Sequence, residues 1–170
     1  MIVEPLTPVD GALPGPLLTE LAALYASNHE FQQLSGDFPD PDEIRPEQVA
    51  ASLADELAHP DAEVLLARST GRLVAIAVTL ARHPDPDDPD AWIGLLMVHA
   101  REQRSGHGRA LAGVIEERFR TAGRTGVRIA VPENNRKAVA FWTALGYTEI
   151  DRRQDRARDH LCLVLRKALG

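Results

Sequence analysis

Apolar positions change their period along the chain, and each change marks an element. Met1 to Glu4 reads as a short strand, closed off by Pro5, Pro8, Gly11, Pro14 and Pro16. Leu17, Leu21, Leu24 and Tyr25 recur at helical spacing and predict an amphipathic helix from about Pro16 to Ser27. Residues 28–46 carry the breakers Gly36, Pro39 and Pro41 and predict a loop or a broken helix. Pro46 stands where a first-turn proline is tolerated, and Val49, Leu53 and Leu57 stripe a second helix that ends near His59 and Pro60.

The period then shortens to that of strands. Ala62 to Arg68 and Arg72 to Leu80 flank the turn Ser69-Thr70-Gly71 and predict an antiparallel hairpin. Three prolines between His83 and Asp90 prevent a ladder there, so that segment reads as an exposed acidic loop. Trp92 to His99 is almost continuously apolar, as a central strand covered on both faces requires, and Gly94 within it predicts a bulge or a close backbone approach. A helix follows from about Gly106 to Thr121, with Leu111, Val114, Ile115, Arg118, Phe119 and Ala122 in series and a cap near Gly123. Val127 to Val131 reads as a short buried strand. Ala138, Phe141, Trp142 and Leu145 stripe a further helix that stops at Gly146. Tyr147 to Asp151 and His160 to Leu165 are the last two strands, around a charged turn from Arg152 to Asp159. The predicted order is β-α-α-β-β-β-α-β-α-β-β. That order implies one α/β domain over residues 1–170, with a mixed, mostly antiparallel sheet and helices on both faces.

Composition narrows the function classes. At 170 residues and 44% hydrophobic, the chain can bury a single core. Its net charge of −6 argues against a nucleic-acid partner, and no apolar run is long enough for a membrane span. The single cysteine, Cys162, removes any intramolecular disulfide and any paired-cysteine metal knuckle, so no metal is expected and a reducing cytoplasm is the simplest compartment.

The sharpest chemical signal is Gln103-Arg104-Ser105-Gly106-His107-Gly108-Arg109, which directly follows the buried strand and opens a helix. Glycines there let successive N–H groups converge, the helix start adds partial positive charge, and Arg104 and Arg109 add full charges, a combination suited to phosphate. Leu111 stands where a dinucleotide fingerprint needs a third small residue, and no Gly-Lys-Ser/Thr is present for a P-loop. A plain glycine-rich turn accounts for the stretch equally well on its own.

Its context extends the pattern. Val98-His99-Ala100 precedes Gln103-x-x-Gly106-x-Gly108, and a strand later comes Asn135-x-x-Ala138-x-x-Phe141-Trp142-x-x-Leu145-Gly146-Tyr147. Together these resemble the GNAT superfamily of N-acetyltransferases, specifically over residues 91–150 as an acetyl-CoA-binding core and by position only over 17–60 as acceptor-side helices and flap. The resemblance implies acetyl-CoA as co-substrate, its pyrophosphate held by Gln103, Arg104, Ser105, Gly106, His107, Gly108 and Arg109. It implies a pantetheine arm along Leu96, Met97 and Val98, with a Val98-region N–H polarising the thioester carbonyl. Asn135 would bind pantetheine or cap the next helix, and Ala138, Phe141 and Trp142 would line the cofactor.

Two departures alter the chemistry. Trp142 replaces the tyrosine that protonates the leaving thiolate in many relatives, and a thiol with a pKa near ~8.5 can leave without an acid. Trp92 and Gly94 occupy positions where relatives place a base, so Glu30 in the flap is the expected catalytic carboxylate, for binding or deprotonating the amine, with Asp90, His83 and His99 as substitutes. The implied reaction is acetyl transfer from acetyl-CoA to a primary amine by direct attack in a ternary complex. A small-molecule acceptor is expected, and a homodimer is compatible with it. The alternatives are a noncatalytic acyl-CoA-binding or sensing module and a protein lysine or N-terminal acetyltransferase.

Overall fold

In chain order the elements are β1 (Ile2–Pro5), α1 (Gly15–Ser27), α2 (His29–Ser35), α3 (Pro46–Leu57), β2 (Ala62–Ser69), β3 (Arg72–Leu80) and β4 (Ala91–Val98). A short 3₁₀ turn (Ala100–Glu102) follows, then α4 (His107–Thr121), β5 (Gly126–Pro132), α5 (Arg136–Ala144), β6 (Thr148–Asp155) and β7 (His160–Ala168). This computed structural model describes residues 1–155 and 160–170. Seven strands form one sheet in the order β1-β2-β3-β4-β5-β7-β6. Every neighbouring pair is antiparallel except β4 with β5. Among the described residues, no helix is long and apolar enough to cross a membrane.

Strand alternation sorts the core to the two faces. Ala75, Ala77, Ile93, Ile129, Val131 and Leu165 meet Leu111, Ile115 and Phe119 of α4 and Trp142 of α5. Val64, Leu66, Ile76, Val78 and Met97 meet Leu21, Leu24 and Tyr25 of α1 and Val49 and Leu53 of α3 on the other face. Each such aliphatic side chain removed from water contributes about 1.5–3 kcal/mol, so both helix layers are held by burial rather than by helix propensity.

The expected bulge lies at Gly94. Ile93 pairs with Thr79 and Leu95 with Val78, which leaves Gly94 without a partner and reverses the alternation beyond it. At the same point β4 leaves β5: their parallel pairing covers Ala91, Trp92 and Ile93 and stops.

Of the alternatives for residues 28–46, a loop or a broken helix, the second holds over 29–35, where α2 follows α1 after Asn28 and is ended by Gly36 at φ +67°. Two sequence expectations are corrected. Arg152 to Asp155 belong to β6 rather than to a turn; this edge strand is charged because only its backbone pairs, with Leu163 to His160 of β7. The remainder of the expected turn, 156–159, lies outside the described residues. Finally, the acidic loop is not solvated throughout, because the Asp88 and Asp90 side chains are buried. Asp90 accepts hydrogen bonds from Arg128 Nε at 2.6 Å and Arg166 Nε at 2.8 Å, and Asp88 accepts one from Trp92 Nε1 at 2.7 Å. Gly126 leaves space for this cluster, since a Cβ there would run into the Arg166 guanidinium and the Asp90 carboxylate.

Candidate active site

The parting of β4 and β5 opens a cavity of about 700 Å³ that passes through the sheet. Leu95, Leu96 and Met97 form one lip, and Ile129 to Pro132 form the other. Asn135, Ala138 and Trp142 line it toward α5, while Phe31, Phe38, Ser52 and Glu56 line it toward α2 and α3.

The register shows which backbone groups face the gap. His99 N–H donates to Val74 on β3 at 2.8 Å, so by antiparallel alternation Met97 and Leu95 also turn their polar groups to β3. Leu96 and Val98 therefore direct N–H and C=O away from β3, where β5 no longer pairs. The Val98 carbonyl accepts from Asn28 Nδ2 at 3.0 Å and Gln103 Nε2 at 3.1 Å. Gln103 also donates to Asn28 Oδ1 at 2.8 Å, and Ala100 N–H to Ser27 Oγ at 3.0 Å. These bonds tie the end of α1 to the start of the glycine loop. Gln103 thus works within the protein as a positioning side chain.

Arg104 (φ +64°) and Gly106 (φ +85°) adopt left-handed conformations that turn the chain into α4. The first N–H groups of that helix have no intrahelical acceptor and point into the loop, beside exposed Arg104, Ser105 and Arg109. His107 Nε2 lies 3.7 Å from Glu102. Gly108 fits close against its neighbours: a Cβ there would sit 3.3 Å from Phe141 and 3.4 Å from Val98. Phe141 thus packs across the helix start, and neither residues 103–109 nor Val98 and Phe141 line the cavity.

Asn135 accepts the Ala138 N–H at 3.2 Å, an N-cap, and it also lines the cavity. Trp142 is buried, with Phe141 and Tyr147 edge-on at centroid distances of 4.9 Å each. The Tyr147 hydroxyl is also buried, donating to Glu116 Oε2 at 3.1 Å, so it does not face the cavity.

Glu30 is an exposed residue on α2 whose carboxylate lies 3.1 Å from Lys137 Nζ, and it does not line the cavity. None of its expected substitutes does so either. Asp90 is held by two arginines; burial raises its pKa, but their hydrogen bonds prevail and keep the carboxyl below its usual range. His83 packs on Trp92 at 5.2 Å, and His99 Nδ1 accepts the Arg101 N–H.

The cavity wall instead holds Asp37, Asp55 and Glu56. Glu56 is an exposed residue at the edge of that wall, and partial desolvation of its carboxyl, then the charges of Asp37 and Asp55, push it above its usual range. Glu56 follows Leu53 by one helical turn on the apolar stripe, a spacing that offered a signal in the sequence. A second group gathers at the β6–β7 hairpin: donor atoms of Asp155, His160 and Cys162 lie within 4.8 Å of one another and line the same cavity. The β6–β7 register, which pairs Asp155 with His160, brings this group together.

A strand pair that parts at a bulge, with a cavity through the gap and a glycine turn at its edge, matches the sequence resemblance. A model of the acetyltransferase (GNAT) family matches residues 23–147. The chain belongs to the GNAT family. Among curated proteins none matches the sequence. Similar solved structures include the PaiA N-acetyltransferase from Thermoplasma acidophilum in complex with coenzyme A (15% identity, TM-score 0.69, 99% of each chain covered). A ribosomal-protein-alanine N-acetyltransferase from Brucella melitensis is similar at 17% identity and TM-score 0.70, again over 99% of each chain. An aminoglycoside 6'-N-acetyltransferase complexed with coenzyme A is similar at 14% identity and TM-score 0.68, over 100% of this chain and 98% of that one. At these identities the likeness concerns the GNAT fold.

Proposed function

We propose that this GNAT protein transfers an acetyl group from acetyl-CoA to a primary amine of a small cationic acceptor, by direct attack in a ternary complex. The observation that carries the reading is the through-sheet cavity whose β4 lip, Gly94 to Met97, presents the backbone of Leu96 to the gap. Coenzyme A lies with its pyrophosphate on the N–H groups between Arg104 and Arg109 and its pantetheine against Leu96 to Val98, passing Asn135, Ala138 and Trp142. The Val98 N–H polarises the thioester carbonyl as charge builds on its oxygen. Trp142 packs against the arm, and the thiolate leaves to solvent.

The acceptor enters from the α2–α3 side, where Asp37, Asp55 and Glu56 favour an ammonium ion. Glu56 takes over the part expected of Glu30, because it lines the cavity and its raised pKa places it nearer the working range of a general base. A protein acceptor and a noncatalytic sensor are the readings this one competes with.

Two glycines provide a controlled test. Gly106 (φ +85°) and Gly123 (φ +84°) stand at opposite ends of α4, and neither would bring an added Cβ within 4 Å of another atom. Alanine at either imposes the same left-handed strain, of roughly 1–2 kcal/mol. Calorimetric titration should show coenzyme A binding weakened in Gly106→Ala and unchanged in Gly123→Ala, with equal losses of stability. Equal affinities in both variants contradict the loop assignment. Release of free thiol from acetyl-CoA across a panel of amines then separates an enzyme from a sensor.

A further inference from the structure

The face of the sheet that carries the acceptor end of the cavity also carries the only thiol of the chain. Leu163 and Leu165 of β7 point into the core beneath α4 and α5. By strand alternation, His160 and Cys162 lie on the opposite face, and both line the cavity. Cys162 stands opposite Pro132, the last residue of the β5 lip. Its Sγ is 3.6 Å from His160 Nδ1, and Asp155, paired with His160 across the hairpin, brings a carboxylate oxygen within 4.8 Å of both. Among the described residues the other ring nitrogen, Nε2, is buried with no hydrogen-bond partner, whereas Nδ1 faces the thiol and is the atom through which the ring exchanges protons with it.

A thiol, an imidazole within reach of it and a carboxylate beside the ring are the parts of an activated sulfur nucleophile. They line the cavity that the proposed function gives to acetyl-CoA. We propose that Cys162 is an acyl-acceptor site: in the absence of amine it takes the acetyl group from acetyl-CoA by thioester exchange, with His160 as base. The Sγ proton moves to His160 Nδ1 as Sγ attacks the acetyl carbonyl carbon. A Cys162 Sγ–carbonyl bond forms, the carbonyl–sulfur bond of acetyl-CoA breaks, and the proton passes to the departing thiolate to give free coenzyme A. One thioester replaces another, so no further reactant is needed, and excess coenzyme A reverses the step. The inference rests on acetyl-CoA occupying the cavity; it adds an internal acceptor to the amine.

The presence of one cysteine makes the test direct. Purified protein is incubated with acetyl-CoA alone, quenched in acid and read by intact mass and peptide mapping, with thiol titration in parallel. Wild type should gain one acetyl group on the Cys162 peptide, labile to neutral hydroxylamine, as the free thiol disappears. Cys162→Ser should gain no hydroxylamine-labile label. His160→Gln keeps the thiol and should acylate about 10²-fold more slowly, the usual cost of losing a positioned base. Calorimetric titration should find coenzyme A binding unchanged in both variants, which a merely structural role for the pair does not predict alongside the rate loss. Wild type that binds acetyl-CoA yet keeps a free thiol overturns the proposal and leaves amine transfer standing. His160→Gln acylating at the wild-type rate overturns the assignment of the base. Absence of coenzyme A binding in wild type removes this inference together with the reading of the cavity beneath it.

Discussion

Strands β4 and β5 form one closed end and one open end, although both ends are built from apolar runs of similar composition. At the closed end Ala91, Trp92 and Ile93 pair with β5, and the buried carboxylate of Asp90 binds Arg128 and Arg166 across it. At the open end Gly94 takes up the bulge, the strands separate, and the backbone of Leu96 faces a cavity. The difference shows how a sheet accommodates a ligand arm in its middle. An unpaired central edge forfeits hydrogen bonds, and the structure offsets that loss by clamping the other end with charge and by tying the Val98 carbonyl to Asn28 and Gln103.

The largest expected effect is at the open end. Glu56→Gln should lower kcat/KM for the amine by about 10²–10⁴ while leaving acetyl-CoA affinity nearly unchanged. In wild type the acid limb of the kcat/KM profile should lie above the ordinary carboxyl range, since Glu56 acts only once ionised and its pKa is raised. Asp37→Asn removes one of the charges opposing that ionisation, so the limb should move to lower pH. A limb that stays in place in Asp37→Asn excludes Glu56 as the group it reports.

At the closed end, Asp90→Asn leaves Arg166 without its carboxylate and Arg128 with Asp88 alone, and should destabilise the fold by about 3–5 kcal/mol in urea unfolding. The Asp90 pKa is lowered in the folded state, so its stabilisation is fully present above the unfolded value near ~3.9 and fades as the pH falls through the lower folded one. Asp90→Asn should therefore show a shallower acid decline than wild type. Equal stability of the two proteins at neutral pH would mean that the clamp contributes nothing. The smallest effect is expected at Glu30, whose partner Lys137 is as exposed as it is. Glu30→Gln should change stability by no more than about 1 kcal/mol and leave amine kinetics intact. A loss of about 10²-fold in kcat/KM would return the base to α2.

Local rules were enough for most of the frame. Short apolar runs bounded by turn residues placed β2, β3 and β4, helical stripes placed α1, α3, α4 and α5, and the isolated glycine in an apolar strand marked the bulge. The glycine turn was legible because left-handed backbone and a following helix are properties of adjacent residues. Asp88 and Asp90 were misread as solvated because the arginines that neutralise them stand on β5 and β7, about 40 to 80 positions further on, and a carboxylate carries no local mark of the arginine that will bury it.

What the sequence determined by itself is what one segment settles alone: strand or helix, turn or cap, and the family motifs within residues 91–150. Only the tertiary structure decided which side chains share a cavity. Asp155 and His160 face each other because β6 and β7 pair in one register, and a slip of a single residue would turn each to the other face. Glu56 meets Asp37 because α3 packs on the sheet beside the segment that follows α2, and Glu30 misses the cavity because a seven-residue helix turns it toward Lys137. Spacing along a chain fixes the direction of a side chain only relative to its own element. Convergence on a reacting centre depends on how the elements pack, through contacts between residues remote in sequence.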